Sequence, residues 1–225
     1  MKGYRHEEKY FISTAGYLFL RGRLESLMQL DSHAVRRDGR YLIRSLYFDD
    51  RVNSGLSEKV DGIEMREKFR IRLYDHDDTF IRLEDKQKHN QLTRKLSAPV
   101  TREQVERILR GDLWWMANDE RPAMRKFYIH SRTAGLQPAV IVDYMREAYL
   151  YRDVRITFDM DLRSGLYRTD LFDPHIPTVP LFPGNRMILE VKFDDMLPDD
   201  IRRLLSPVPA VRSAISKYEL CRRPQ

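Results

Sequence analysis

Hydrophobic and charged residues alternate at a period of two in most of eight segments, near residues 4–12, 41–49, 64–74, 79–88, 91–98, 139–151, 154–163 and 186–194. The segments are rich in Val, Ile, Phe, Tyr and Leu, so the pattern predicts strands with one apolar and one polar face. Three gaps are short: Asp75-His76-Asp77-Asp78, His89-Asn90 and Arg152-Asp153. Gaps of that length predict hairpins and antiparallel pairing. Helices are expected between the strands. Ser13 can cap a helix reaching about Leu30. Thr101 and Gln104 have the spacing of a capping box. Further helices are expected near 120–133, from Pro198 to Leu205, and over 209–221, with a long proline-rich loop at 166–185. No linker divides the chain, so residues 1–225 read as one α+β domain.

The polar faces are unusual in their content. In the third segment Glu64, Arg66, Lys68, Arg70 and Arg72 fall on one face, and Phe69, Ile71 and Leu73 on the other. The fourth aligns Arg82, Glu84, Lys86 and Lys88. The seventh aligns Arg155, Thr157, Asp159, Asp161 and Arg163, and the eighth Ile188, Glu190, Lys192 and Asp194. Arg5, Glu7 and Lys9 share a face of the first segment, while Lys95 and Arg146 come from the fifth and sixth. These faces hold fourteen basic and seven acidic residues, a balance of +7, which leaves −1 for the rest of a chain whose formal charge is +6. A half-buried sheet with a solvated outer face also alternates. Such a face usually mixes in Thr, Ser and Gln, however, and this one is dominated by Arg and Lys. Eight antiparallel strands can close into a barrel and so remove their edges. With helices on the apolar outside, the charged face becomes the lumen.

Composition narrows the classes. No apolar run is long enough for a transmembrane helix. The first nine residues are charged and lack a secretory core. Cys221 is the single cysteine, which excludes an internal disulfide and a cysteine-rich zinc site. A cytoplasmic, soluble protein is the expectation. His6, His76 and His89 have no metal-ligand spacing and read as surface residues. Trp114 and Trp115 read as packing on the barrel wall, and the Asp49-Asp50 pair as turn residues. No nucleic-acid motif is present, and a nucleic-acid surface would need exposed bases rather than enclosed ones.

A lumen lined by Arg and Lys suits polyanions, and guanidinium suits phosphate through paired donors. Carboxylates among those bases suit a hard divalent cation that bridges phosphate oxygens. The faces therefore point to a nucleoside triphosphate or polyphosphate together with Mg²⁺ or Mn²⁺.

Ordered along the chain are Arg5-His6-Glu7-Glu8-Lys9-Tyr10, Ser45-Leu46-Tyr47-Phe48-Asp49, Phe69-Arg70-Ile71-Arg72-Leu73-Tyr74, Leu83-Glu84-Asp85-Lys86, Tyr144-Met145-Arg146-Glu147-Ala148-Tyr149, Val154-Arg155-Ile156-Thr157, Leu189-Glu190-Val191-Lys192 and Ser216-Lys217-Tyr218. In this order they resemble the VTC domain, the polyphosphate polymerase module of the triphosphate tunnel metalloenzyme (CYTH-like) superfamily. The resemblance spans nearly the whole chain. It implies a closed eight-stranded antiparallel tunnel with helices outside, in which the γ-phosphoryl of ATP passes to a growing polyphosphate chain. It implies that Lys9, Arg70, Arg72, Lys86, Lys95, Arg146 and Arg155 hold phosphate, with the four arginines stabilising charge on the transferred group. Lys192 and Lys217 would add contacts, and Glu190 would hold the metal, with Glu7 and Glu84 as further candidates. The superfamily's hydrolases carry Glu-x-Glu-x-Lys on the first strand. Here Arg5, Glu7 and Lys9 stand at those positions, so one carboxylate is replaced by a base, which suits more anion contacts and fewer metal ligands. A triphosphatase on the same tunnel, with Glu7 or Glu84 activating water, and a non-catalytic polyphosphate-binding module remain open. Coupling to a neighbouring membrane protein is a further possibility that the chain itself does not carry.

Overall fold

In the computed structural model, which describes residues 3–35, 39–60, 65–90, 92–182 and 186–222, the alternating segments become eight long strands. They are β1 (Arg5–Ser13), β3 (Tyr41–Asp49), β4 (Met65–Tyr74), β5 (Asp77–His89), β6 (Leu92–Val100), β7 (Gln137–Tyr151), β8 (Val154–Ser164) and β10 (Arg186–Phe193). Every pairing is antiparallel, in the order β7-β3-β4-β5-β6-β1-β10-β8, and β8 pairs back onto β7 to close the ring. Three two-residue strands extend it: β2 (Gln29–Leu30) on β7, β9 (Val179–Pro180) on β8, and β11 (Val211–Arg212) on β1. The expected Glu64 and Gln91 lie outside the described residues.

The ring has a thin seam. Strands β1 and β6 meet only through Arg5↔Thr93 and His6↔Leu92. Beyond that overlap β1 is covered by β11, and the Ser213 amide donates to the Lys9 carbonyl.

The outward apolar residues form two cores under helices. Helices α4 (Arg102–Leu109) and α5 (Pro122–Thr133) pack Val105, Ile108, Met124 and Phe127 on Phe69, Ile71, Leu73, Ile81 and Leu83. Helices α1 (Thr14–Leu24) and α6 (Asp199–Leu205) pack Tyr17, Leu20, Leu24, Ile201 and Leu204 on Ile156, Phe158, Leu189 and Val191. The Ser13 hydroxyl caps α1, and the Thr101–Gln104 capping box forms with both of its hydrogen bonds. Helix α1 stops at Leu24 rather than near Leu30, because the chain then turns to place Gln29 and Leu30 against β7. Short helices α2 (Ser32–Val35) and α3 (Ser54–Val60) fall where no helix was expected. The last helix is shorter than expected: α7 spans Lys217–Arg222, since Val211 and Arg212 are drawn into strand pairing. Trp115 packs partly against the α4–α5 core, whereas Trp114 is 74% exposed and does not pack there as expected.

A third apolar cluster lies inside the barrel. Tyr41, Ile43, Tyr47, Val140, Val142, Tyr144, Leu162 and Ile188 meet Ile215, Tyr218 and Cys221 from the α7 region. The lumen is thus partly apolar, and α7 packs into it against β7 and β8. Its anchors are Ser164 Oγ donating to the Cys221 carbonyl at 2.8 Å, Arg222 donating to the Ala139 carbonyl at 3.0 Å, and the Tyr218 hydroxyl donating to Asp49. Burial pushes the Cys221 thiol up to about 12, so it stays protonated as a small core residue.

Strand β8 carries the main departure from simple alternation. Arg146 pairs with Asp159 and Met145 with Met160, but Asp143 pairs with Arg163. One extra residue is accommodated in β8, and Asp161 takes φ +47°. The bulge reverses the faces beyond it. Leu162 and Ser164 turn inward. Asp161 is exposed, and Arg163 bonds to Thr178 Oγ1 at 2.7 Å outside the barrel. The expected inward placement of Asp161 and Arg163 is therefore corrected. Among the described residues no helix is long and apolar enough to cross a membrane.

Candidate active site in the tunnel

The inward faces of seven strands, the segment before α7 and the first turn of α7 enclose one chamber. Its wall contains Lys9, Arg66, Lys68, Arg70, Arg72, Lys86, Lys88, Arg146, Lys192 and Lys217, and among the described residues Glu7 and Glu190 are its only acids. Strand register explains the grouping. Lys68 sits opposite Lys86, and Lys86 opposite Lys95. Glu7 sits opposite Lys192, and Lys9 opposite Glu190. Like charges facing each other across strands are unfavourable unless something offsets them. Part of the offset comes from the carboxylates.

Each carboxylate is held by several bases. Glu7 takes Lys86 at 2.7 Å and Lys9 at 3.2 Å. Glu190 takes Lys192 at 2.8 Å, Lys9 at 3.5 Å and Lys217 at 3.9 Å. Asp159 takes Arg146 through two parallel bonds of 2.6 and 2.8 Å, and Lys217 at 2.5 Å. Burial and Glu190 push the Glu7 carboxyl up, but Lys86, Lys9 and Lys192 outweigh them and hold it at about 2. Burial opposes ionisation of Glu190 as well, and Lys192, Lys9, Lys217 and Lys86 keep it well below the usual range. For Lys9 burial is outweighed by Glu7 and Glu190, and the ammonium is held above its ordinary value. Burial pushes Lys86 down to about 7, with Lys9 and Lys192 adding to the effect and Glu7 opposing it.

Tyrosines set the arginines. Arg70 donates to Tyr47 Oη at 2.8 Å, and Arg72 to Ser45 Oγ and Tyr144 Oη, both at 3.0 Å. Lys217 and Arg146 both lie over the Tyr144 ring. Tyr47, Tyr144 and Asp159 were not singled out as site residues in the sequence. The tyrosines sit within the quoted motifs, and Asp159 on the polar face of β8, but nothing local marks their partners.

Of the site residues expected from sequence, Glu7, Lys9, Arg70, Arg72, Lys86, Arg146, Glu190, Lys192 and Lys217 line the chamber together. Glu84 shares the inward face of β5 but lies under Arg70, 1% exposed and outside the chamber lining, and Lys95 reaches it at 2.6 Å. Arg5 and Arg155 are not in the chamber lining. They border a neighbouring depression with Asp31, Asp153 and Asp194. There Arg155 donates to Asp31 at 2.8 Å and to Tyr41 Oη at 3.1 Å, and Arg5 pairs with Asp194 at 2.6 Å. Arg155 remains next to the chamber through its register partner Lys192.

The donor set can be tested against a divalent cation. Among the described residues no group of three or more His, Cys, Asp or Glu side chains is placed to hold a metal. Glu7 and Glu190 are ionised, hard oxygen donors on adjacent strands, with the Lys9 ammonium between them. Mg²⁺ characteristically uses one or two carboxylates and completes its shell with water and substrate phosphate. The pair fits such a metal when phosphate arrives with it.

The family model for the VTC domain matches residues 4–223. The chain belongs to the VTC domain family. No curated protein matches it. Among solved structures, a Hippeastrum protein described as an adenylyl cyclase candidate with a dominant triphosphatase activity shares 13% identity and a TM-score of 0.56, covering 96% of this chain and 94% of that one. An adenylate cyclase candidate from Bacillus halodurans shares 13% identity and a TM-score of 0.54, covering 95% of both chains. At these identities the likeness is one of fold, and this VTC-family chain has the tunnel architecture over its whole described length.

Proposed function

We propose that this VTC-family chain is an ATP-dependent polyphosphate polymerase. The observation that carries the reading is the state of its carboxylates. Glu7, Glu84 and Glu190 are all tied to bases and held below the ordinary carboxylate range. Carboxylates so acidic are weak bases, poorly matched to removing a proton from water near neutral pH. The terminal oxygen of a phosphate chain arrives already anionic and needs no such base.

In this reading the γ-phosphoryl of ATP lies among Arg70, Arg72 and Arg146, with Lys9, Lys86, Lys192 and Lys217 on the flanking phosphates. Lys95 adds charge from beside the chamber, where it pairs with Glu84. Arg155 and Arg5 meet phosphates beyond the chamber. The acceptor's terminal oxygen forms a bond to the γ-phosphorus as the β,γ-bridging P–O bond breaks and ADP leaves. Positioning and charge stabilisation supply most of the catalysis in such transfers. Mn²⁺ or Mg²⁺, held by Glu190 with Glu7, would neutralise phosphate oxygens when bound. ATP and polyphosphate are then the ligands, a cytoplasmic location supplies the ATP, and nucleic acid is not a partner. A neighbouring membrane protein could take up the product.

The test is incubation of the purified chain with ATP and Mn²⁺. A ladder of long polyphosphate on a gel is expected. ADP with orthophosphate and no polymer would overturn the reading and favour a triphosphatase. One observation favours that second reading: α7 and the inner apolar cluster occupy part of the lumen, which suits a short triphosphate better than a long chain. Tight polyphosphate binding without turnover under either metal would instead indicate a binding module.

A further inference from the structure

Glu84 is almost fully enclosed in the tunnel wall, 1% exposed, and does not line the chamber. Its Oε2 accepts from Arg70 Nε at 2.7 Å and lies 2.6 Å from Arg70 Nη2. Its Oε1 accepts from Lys95 at 2.6 Å, and Arg72 Nη1 stands 3.8 Å from Oε2. Both carboxylate oxygens are therefore already committed to bases at short range. A metal ligand needs a lone pair open to the substrate side, and here that side is filled by Arg70. Glu7 and Glu190 are also paired with bases, but unlike Glu84 they open onto the chamber.

The contacts fix Arg70 from two directions. Nε and Nη2 face Glu84, and Nη1 faces Tyr47. A guanidinium held along two edges keeps its plane and aims its remaining N–H groups at the lumen. Arg72 is held comparably by Ser45 and Tyr144. The cost of burying Arg70 is offset by Tyr47 and Glu84 together, so two adjacent arginines can stay charged in the wall before any phosphate arrives. Such preorganisation lowers the reorganisation needed when charge develops on the transferred phosphoryl.

We infer that Glu84 is a positioning residue and not a metal ligand: it acts on phosphate through Arg70, with Lys95 completing its pairing. This rests on the reading of the chamber as a phosphate-transfer site. The sign of the effect is distinctive. Removing a negative charge beside the chamber strengthens long-range attraction for a polyanion, while loss of orientation slows transfer.

The test compares Glu84→Gln, Glu190→Gln, Arg70→Ala and the Glu84→Gln/Arg70→Ala double variant with the wild type. Turnover of ATP, binding of tripolyphosphate and Mn²⁺ dependence are measured on each. Glu84→Gln is expected to lower kcat by about tenfold or more without raising KM, and to leave the Mn²⁺ concentration for half-maximal activity unchanged. Glu190→Gln is expected to raise that Mn²⁺ concentration severalfold. In the Arg70→Ala background Glu84→Gln should add little further loss. A Mn²⁺ shift in Glu84→Gln matching that of Glu190→Gln, or losses that multiply independently in the double variant, would overturn the assignment. If Glu84→Gln does not fold, Tyr47→Phe, which removes the other restraint on Arg70, carries the same kcat test, and unchanged kcat there would count against positioning. A wild type that binds tripolyphosphate but turns over no ATP would defeat the transfer reading itself, and Glu84 would then be judged by binding and by Mn²⁺ affinity in the presence of tripolyphosphate.

Discussion

Lys86 Nζ stands 2.7 Å from Glu7 Oε2, an ion pair that reaches from β5 to β1 past the intervening strand β6. Its two members respond oppositely to the same surroundings. Glu7 is held at about 2 and is ionised at every ordinary pH. Lys86 is held at about 7 although Glu7 favours its charge, because burial, Lys9 and Lys192 disfavour it more. The chamber is thus built with more positive charge than its own acids can offset, and an entering polyanion supplies the missing partner.

Binding of a phosphate chain should therefore take up protons. Bound phosphate favours charged Lys86, so the bound form holds more protons than the free form above pH 7. Affinity for tripolyphosphate is expected to fall as pH rises from about 7, by at most about tenfold per unit for one linked proton. Calorimetry in buffers of different ionisation enthalpy measures the uptake directly. Lys86→Arg, which stays charged, should flatten the dependence. Equal proton uptake in that variant would assign the effect elsewhere.

Acid should weaken the fold through Glu7. Its folded value lies below its ordinary 4.5, so its stabilising contribution is complete above about 4.5 and is lost as pH falls toward 2. The difference corresponds to about 3 kcal/mol for this one group. Denaturant titrations between pH 5 and 2.5 should show declining stability, and Glu7→Gln should be less stable at pH 6 yet decline less steeply. Parallel pH profiles for the two proteins would refute this account.

A buried pair outside the lumen provides a contrast. Arg44 and Asp143 are register partners on the outer faces of β3 and β7, joined at 2.8–3.2 Å, and Arg44 also binds the Asp173 carbonyl of the long loop. Arg44→Ala leaves Asp143 buried without its base, a change that costs about 3–5 kcal/mol in comparable pairs. Thermal unfolding should move down markedly. Tripolyphosphate affinity of the folded protein should stay near the wild-type value, because neither residue lines the chamber. A large loss of affinity in a folded Arg44→Ala protein would show that the outer pair shapes the site.

The strand faces were legible because alternation is local: Phe69, Ile71 and Leu73 go to the outer core, and Arg70 and Arg72 to the lumen, as period two requires. Legibility ended where the deciding contact is distant or has no side-chain signature. Nothing in Asp161 announces a bulge, yet its φ of +47° reverses Leu162 and Arg163. Strands β3 and β7 carry apolar residues on both faces, so the inner cluster of Ile43, Val140 and Val142 could not be separated from the outer core by pattern. A face also says nothing of position along the tunnel. Arg155 and Arg70 share inward parity, but strand stagger carries Arg155 to the neighbouring depression beside Asp31. The shared carboxylates of Glu84 and Asp159 depend on residues up to 58 positions away and had no local signal.

Lys217 is the base that α7 contributes to the chamber, and it separates the helix's part in binding from its part in stability. Its ammonium lies 2.5 Å from Asp159 and 3.9 Å from Glu190. Asp159 keeps its two parallel bonds to Arg146 whether or not Lys217 is present, so Lys217→Ala does not orphan that acid. The helix also keeps its independent anchors, Ser164 to the Cys221 carbonyl and Tyr218 to Asp49. Stability should therefore change little. A charge-assisted contact to phosphate contributes about 1.5–3 kcal/mol, so affinity for tripolyphosphate should fall by about tenfold to a hundredfold. Titration calorimetry and thermal unfolding on the same variant read the two effects separately. Unchanged affinity would place the phosphate chain away from α7, and a collapse of stability with unchanged affinity would make Lys217 a structural tie between α7 and β8.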